Sequence, residues 1–192
     1  MMASKNQQED LPFWQLNMMH QSKLILRELV LWIRFYMISA YAKLGDKEEV
    51  YNKLASIPSE FGNIIRLFFG DTIADTYTGF FGLQILLIRN LIDNQIQSDM
   101  KGVRDTINQL YDVSERRALY LGQYNQFWNQ KELNSLTYTF LSYVLEEITE
   151  FLVKDYEGSI EAFDKLLDHA DVIGIFFAEG LYRYLTEPSK RS

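Results

Sequence analysis

The polar residues that could carry chemistry in this chain are few, and one of them interrupts a long apolar run. Gln84 stands in the middle of GFFGLQILLIRNLID, residues 79–93. At about 100° per helical residue, Tyr77, Phe81 and Ile88 share its face, so Gln84 is expected inside the core. Since an unpaired buried amide costs roughly 1–3 kcal/mol, a side chain, a backbone group or a water should bond to it.

Two carboxylates occupy comparable positions on other predicted helices. Glu147 lies seven residues after Phe140, and Asp171 lies one helical turn before Ile175. Gln84, Glu147 and Asp171 are therefore the candidate ligand-binding residues. An alternative remains open for each of them: Gln84 as a satisfied core amide, and the two acids as structural or partly solvated carboxylates.

Residue types and spacing argue against metal and covalent chemistry. The chain has no cysteine, which removes thiolate nucleophiles and cysteine metal sites. The Glu-x-x-His pairs of a carboxylate di-metal centre are absent, and neither His20 nor His169 lies on the helical face that is expected to line the bundle core. No nucleophile elbow and no ordered Ser, His and Asp set occurs. We therefore predict no metal ligand, no cofactor and no catalytic residue, which favours a protein without enzymatic activity.

Two charged clusters are expected at the surface. Glu146, Glu147 and Glu150 follow helical spacing, and without a histidine partner they are typical of a solvated face. The segment SERRALY, residues 114–120, is expected to form surface ion pairs of about 0–1 kcal/mol each. Its charged residues are Glu115, Arg116 and Arg117.

The segments between the few glycines and prolines have helical periodicity, which predicts an all-α, up-and-down helical bundle. Long helices are predicted at about 17–44, 72–97, 101–123 and 130–155, and from Ser159 onward. Short connecting helices are predicted over 46–56 and from Pro58 to about residue 68.

The sequence also predicts where helices start and end and where a cluster of four aromatic residues lies. Gly45 is predicted to end the first helix. Gly158 is predicted to interrupt the helical pattern before the last helix starts at Ser159. The predicted N-caps are Asp46, Asp71 and Asn129. Four aromatic residues are expected to close one end of the bundle, whereas an exposed set would form a binding surface. They are Tyr120, Tyr124, Phe127 and Trp128.

The length of 192 residues suits one domain. We predict a polar, mobile tail at 1–15, a single helical-bundle domain at 16–186 and a second tail at 187–192. No stretch reaches the ~18 uncharged apolar residues that span a membrane, and a net charge of −7 with scattered Lys and Arg argues against nucleic acid. The polar start and the missing cysteines suit a cytoplasmic protein.

Five short stretches, taken together, resemble a bacterial family. LRELVLWIRFYMIS, IPSEF, FFGDTIADTYTGFFGLQILL, YNQFW and DHADVIG follow one another over about residues 24–180. They are similar to scattered positions of a little-characterised family of small helical proteins from Gram-positive bacteria. The Trp-x-Arg step at 32–34 and the Phe-Gly-Asp turn at 69–71 correspond to two steps of the family pattern.

The resemblance implies a ferritin-like helical bundle with inward-facing histidines that form a metal or ligand site. At those histidine positions this chain has Leu29, Gln84 and Phe140, while the acidic positions near Glu147 and Asp171 are kept. The resemblance thus implies a degenerate site in which Gln84 hydrogen-bonds instead of binding a metal. Some members are labelled acetylglutamate kinase, but this chain has neither common type of glycine-rich phosphate loop.

Two functions of different classes are consistent with these residues. The first is a non-enzymatic bundle that acts through self-association, as a homodimer, or as an accessory to another protein; the aromatic content of 15% supports it. The alternative is a small-ligand or metal-binding ferritin-like bundle with a degenerate site around Gln84, Glu147 and Asp171.

Overall fold

The computed structural model describes residues 12–187, which form six α-helices. They are α1 (Phe13–Tyr41), α2 (Lys47–Phe69), α3 (Asp71–Ile96), α4 (Met100–Gly122), α5 (Gln130–Leu152) and α6 (Tyr156–Thr186). No strand occurs in this range, so the predicted all-α helical bundle is confirmed.

The helices pack in chain order and close on themselves. Each helix contacts the next one along the chain, and α6 returns to pack against α1. All six contribute apolar side chains to one cluster of buried residues, because each has one apolar face that must be covered. The smallest of the consecutive interfaces is that between α4 and α5.

Pro58 lies inside a helix instead of starting one. The sequence predicts one short helix that ends before Pro58 and another that begins at it. In the structure both belong to a single helix, α2, so the prediction of two helices is wrong. Proline has no N–H to donate to the carbonyl one turn earlier, which costs about 3 kcal/mol in a helix interior. Pro58 is itself buried, between Leu54, Ile57 and Phe61 on the face of α2 that enters the core. Burial of this continuous apolar face offsets the lost hydrogen bond.

The first helix begins earlier and ends differently than the sequence predicts. α1 starts at Phe13, because Trp14 has a partner in Tyr182 near the end of α6, with ring centroids 5.4 Å apart. At its other end Lys43 (φ 55°) takes the left-handed position that was predicted for Gly45. The N–H of Leu44 then bonds to the carbonyl of Ser39 at 2.9 Å, as in a Schellman motif. Of the predicted tails, residues 1–11 and 188–192 lie outside the described range.

The predicted helix starts are partly correct. Asn129 caps α5 as predicted, since its side chain accepts a hydrogen bond from the N–H of Glu132 at 3.1 Å. Asp46 stands at the N-cap of α2, but its carboxylate accepts from the hydroxyl of Ser39 instead. The other two predictions need correction: Gly70 (φ 80°), not Asp71, separates α2 from α3, and Gly158 lies in the first turn of α6.

The loop between α4 and α5 closes one end of the bundle. The Trp128 side chain is 1% exposed and packs against Phe177, with ring centroids 5.2 Å apart. Gly180 makes room for the indole, because a Cβ at that position would collide with it. Tyr124 on the same loop is 37% exposed, so only part of the predicted aromatic group is buried.

Candidate functional site

A small, partly open cavity lies between five of the six helices. Its volume is about 30 Å³, and side chains from α1, α3, α4, α5 and α6 line it. Since a water needs roughly 10–15 Å³ of such space, the cavity has room for about two waters or a molecule of similar size. Most of its lining is apolar. The polar exceptions are Tyr77, Gln84, Arg117 and Thr137.

Only one end of the Gln84 side-chain amide has a hydrogen-bond partner. Its side chain is 3% exposed, and Nε2 donates a 3.4 Å hydrogen bond to Oγ of Ser114. The Ser114 hydroxyl in turn donates to the carbonyl of Leu110 at 2.7 Å, which fixes it as an acceptor toward Gln84. Within residues 12–187, no group bonds to Oε1 of Gln84. The sequence prediction that Gln84 is buried is therefore confirmed, and the expected partner reaches only one end of its amide.

Arg117 brings a positive charge to the same cavity. Its guanidinium carbon lies 4.7 Å from the ring centroid of Phe81 and 5.9 Å from that of Tyr77. Burial lowers the pKa of Arg117, and the Tyr77 phenol partly opposes that shift. None of the carboxylates that the structure describes forms an ion pair with this guanidinium, so cation–π contacts are its main compensation.

The remaining polar side chains of the cavity can accept hydrogen bonds. The Thr137 hydroxyl, on α5, donates to the carbonyl of Leu133 at 2.9 Å and keeps its oxygen lone pairs free to accept. Tyr77, on α3, is 1% exposed, and burial raises the pKa of its phenol, which keeps the phenol protonated. The cavity thus combines one cation with neutral polar groups in an apolar setting.

Arg117 is the residue of this site that sequence reasoning missed. It was expected in a surface ion pair together with Glu115 and Arg116. Arg116 does pair with Asp112, at 3.5 Å, whereas Arg117 lines the cavity. Its position seven residues after Leu110, and four after the buried Val113, places it on the apolar stripe of α4 and is the signal that could have found it.

The three positions at which the resemblance implies histidines meet in this cavity. Leu29 from α1, Gln84 from α3 and Phe140 from α5 all line it. Two of the three are apolar, so the only ligating atoms among them belong to the Gln84 amide. Glu147 and Asp171 are not among the residues that line the cavity.

Glu147 is buried elsewhere, against a different arginine. Its side chain is 0% exposed, and Nη1 of Arg34 donates to its Oε1 at 2.7 Å. The same Nη1 lies 3.4 Å from the hydroxyl of Ser159 on α6, and the Arg34 guanidinium carbon lies 4.8 Å from the ring centroid of Phe163. This contact joins α1, α5 and α6. The predicted solvated face is thus wrong for Glu147, while the side chain of Glu146 is 38% exposed and pairs with Lys165.

Asp171 forms ion pairs between α6 and α1. Its carboxylate lies 2.9 Å from Nζ of Lys23 and 3.4 Å from Nη1 of Arg27, and its side chain is 27% exposed. His169, two residues earlier, lies 2.7 Å from the carbonyl of Leu136 on α5. Each of the two acids of the candidate set therefore has basic partners of its own, and neither shares them with Gln84.

The described residues contain no group of three His, Asp or Glu side chains that could hold a metal ion. The described helices also include none with the length and apolar content of a membrane span. The chain matches no family model, no curated protein and no solved structure. The geometry of the cavity is thus the main guide to function.

Proposed function

We propose that this helical bundle binds a small polar molecule in the cavity beside Gln84. The observation that carries the proposal is Oε1 of Gln84, a buried acceptor that has no partner among residues 12–187 and belongs to a residue that lines the cavity. An unpaired buried acceptor costs roughly 1–3 kcal/mol, so a bound molecule that donates a hydrogen bond to it recovers that energy.

The size of the cavity limits the ligand. Because covalently bonded atoms lie closer together than neighbouring waters, a cavity of about 30 Å³, with room for about two waters, accommodates about three or four non-hydrogen atoms. With at most about 1.5 kcal/mol of binding energy per such atom, the tightest dissociation constant for four atoms is on the order of tens of micromolar. A metal ion is a poorer candidate, because the only oxygen ligands here are the neutral oxygens of Gln84, Thr137 and Tyr77 beside the cationic Arg117.

The test is ligand-observed NMR with the full chain and a panel of polar molecules of three or four non-hydrogen atoms, charged and neutral. We expect at least one member to bind the wild type and to lose binding in Gln84→Leu. Gln109→Leu, a substitution at an exposed position of α4, should leave binding unchanged. A panel without any binder, or equal binding by Gln84→Leu, would contradict the proposal.

Self-association is a second candidate function, favoured by an apolar stripe on the outer face of α1. Leu24, Leu31 and Phe35 lie within about 40° of one another around the helix and are 47%, 37% and 46% exposed. Phe13, 86% exposed, continues the stripe toward the start of the helix. Beside Phe35 a surface groove of about 300 Å³ runs between α1 and α2. We propose that this stripe pairs with a second copy to form a homodimer, since exposed apolar patches mark association sites.

Light scattering coupled to size exclusion tests this second candidate. The wild type should have the mass of a dimer, and the double variant Leu24→Glu/Phe35→Glu should be a monomer, because two carboxylates on the stripe would have to be buried without partners. The control is Leu67→Glu at a position of α2 that is 80% exposed and lies off the stripe. A monomeric wild type would rule the candidate out.

A further inference from the structure

The cavity is lined by an arginine without a carboxylate partner among the described residues and by a residue with an unpaired acceptor. Arg117 has five N–H donors and faces no carboxylate among the described residues, and Gln84 Oε1 lacks a donor. A water molecule could bridge the two groups, but it would leave the positive charge uncompensated. A molecule that satisfies both groups must carry a negative charge and also an N–H or O–H of its own.

We propose that the ligand is a small planar monoanion that carries its own hydrogen-bond donor, of which hydrogen carbonate is the simplest. Its charged oxygens accept from the Arg117 guanidinium, and its O–H donates to Oε1 of Gln84. This inference rests on the proposed function, because it concerns the same cavity and narrows the class of ligand.

Two contrasts within the protein support an anion. The other partly buried arginine beside the core, Arg34, has the carboxylate of Glu147 at 2.7 Å as a partner, whereas Arg117 has only aromatic faces and the cavity. Its neighbour Arg116 is exposed and pairs with Asp112. Moving an arginine partly out of water without an anion costs free energy, and an anion in the cavity would offset that cost for Arg117.

The arrangement of the helices also leaves a route for a small ion. Arg117 is only half-buried, so part of its side chain contacts solvent while its guanidinium lies over the ring of Phe81. It lies on α4, which makes the smallest consecutive interface with α5. A ligand of about four atoms could pass along the Arg117 side chain without unfolding of the bundle.

Three probes of nearly equal size test the negative charge and the hydrogen-bond donor of the ligand separately. Hydrogen carbonate has the charge and the donor, nitrate has the charge alone, and acetamide has a donor without charge. Each is titrated into the ¹⁵N-labelled full chain in a background of sodium gluconate at constant ionic strength, since gluconate is too large for the cavity. The measured quantity is the dissociation constant from the amide shifts of residues around Gln84.

We expect hydrogen carbonate to bind at least about tenfold more tightly than either nitrate or acetamide. Arg117→Met should weaken hydrogen carbonate binding by about tenfold or more, and Arg117→Lys should weaken it less than Arg117→Met, because lysine keeps the charge but loses the planar fork of donors. The matched control Arg116→Gln removes an exposed charge from the neighbouring position and should bind like the wild type.

The results that would contradict the anion inference differ from those that would contradict the proposed function. If acetamide binds as tightly as hydrogen carbonate, or if Arg117→Met binds like the wild type, the anion inference is overturned and the proposed function stands. If nitrate binds as tightly as hydrogen carbonate, the requirement for a donor is overturned. If none of the three probes binds while a neutral member of the panel of polar molecules does, only this inference fails. If no molecule of the panel binds, the proposed function fails with it.

Discussion

Arg34 on α1 donates a 2.7 Å hydrogen bond to Glu147 on α5, and the two residues are 113 positions apart in the chain. Burial raises the pKa of Glu147 to about 7, and the hydrogen bond and charge of Arg34 oppose that shift. The other carboxylate oxygen, Oε2, has no partner within residues 12–187. Glu147 is thus a core carboxylate that is only partly compensated.

The pKa of Glu147 predicts that folding is coupled to protonation. Because its folded-state pKa of about 7 exceeds the value near 4.5 of the unfolded chain, its contribution to stability is greatest below pH 4.5 and is lost as the pH rises toward 7. Relative to Glu147→Gln, the wild type should lose up to roughly 3 kcal/mol of unfolding free energy over this window. Urea denaturation of both proteins at several pH values measures the difference.

Glu146→Gln is the control for this titration, since the adjacent Glu146 has a side chain that is 38% exposed, whereas that of Glu147 is fully buried. The unfolding free energy of Glu146→Gln should change with pH in the same way as that of the wild type. If the unfolding free energy of Glu147→Gln does so as well, Glu147 does not titrate in the way its burial implies.

The close approach of α1 and α6 predicts that a methyl group at Gly174 destabilises the fold. A Cβ there would lie 2.8 Å from the backbone nitrogen and 2.9 Å from Cα of Lys23, and backbone atoms cannot move aside as a side chain can. Gly174→Ala should therefore cost roughly 1–3 kcal/mol of unfolding free energy. Gly79→Ala, at an exposed position of α3 with no atom near the added Cβ, should instead gain about 0.5–1 kcal/mol. Thermal denaturation of the pair checks the opposite signs.

Asn125 predicts a difference between two Asn→Asp substitutions. Its buried Nδ2 donates to the carbonyl of Gly180 at 3.0 Å, and its Oδ1 accepts from the N–H of Phe127 at 3.0 Å. Asn125→Asp turns the donor into a carboxylate oxygen that faces a carbonyl, so we expect a loss of roughly 2–4 kcal/mol at neutral pH that is smaller in acid. Asn129→Asp keeps an acceptor at the start of α5 and should be neutral or slightly stabilising. Equal effects of the two substitutions would contradict this account of Asn125.

Gln84 predicts a stability change that depends on the ligand. In buffer without small anions, Gln84→Leu should be neutral or more stable by about 1 kcal/mol, because it removes a buried acceptor that lacks a partner. With hydrogen carbonate present, the wild type should gain stability and the variant should not. A variant that is strongly destabilised in both buffers would show that Gln84 holds the core together through its bond to Ser114.

Local patterns explain the parts of the fold that were predictable. Helical periodicity and composition determine the all-α bundle, the burial of Gln84 and the cap at Asn129, because each depends on residues a few positions apart. The same local rules fail at Pro58. There proline normally starts a helix, but the packing of α2 against its neighbours outweighs that preference.

The partners of the buried and partly buried charged side chains Glu147 and Arg117 were decided by tertiary structure alone. Nothing near Glu147 in the sequence indicates that Arg34 reaches it across the bundle, and nothing near Arg117 indicates that this arginine faces Phe81 in place of a carboxylate. The sequence thus determined which faces of the helices are buried. Only the packing of those faces determined which polar groups meet, because contacts between distant helices depend on how the helices are positioned relative to one another.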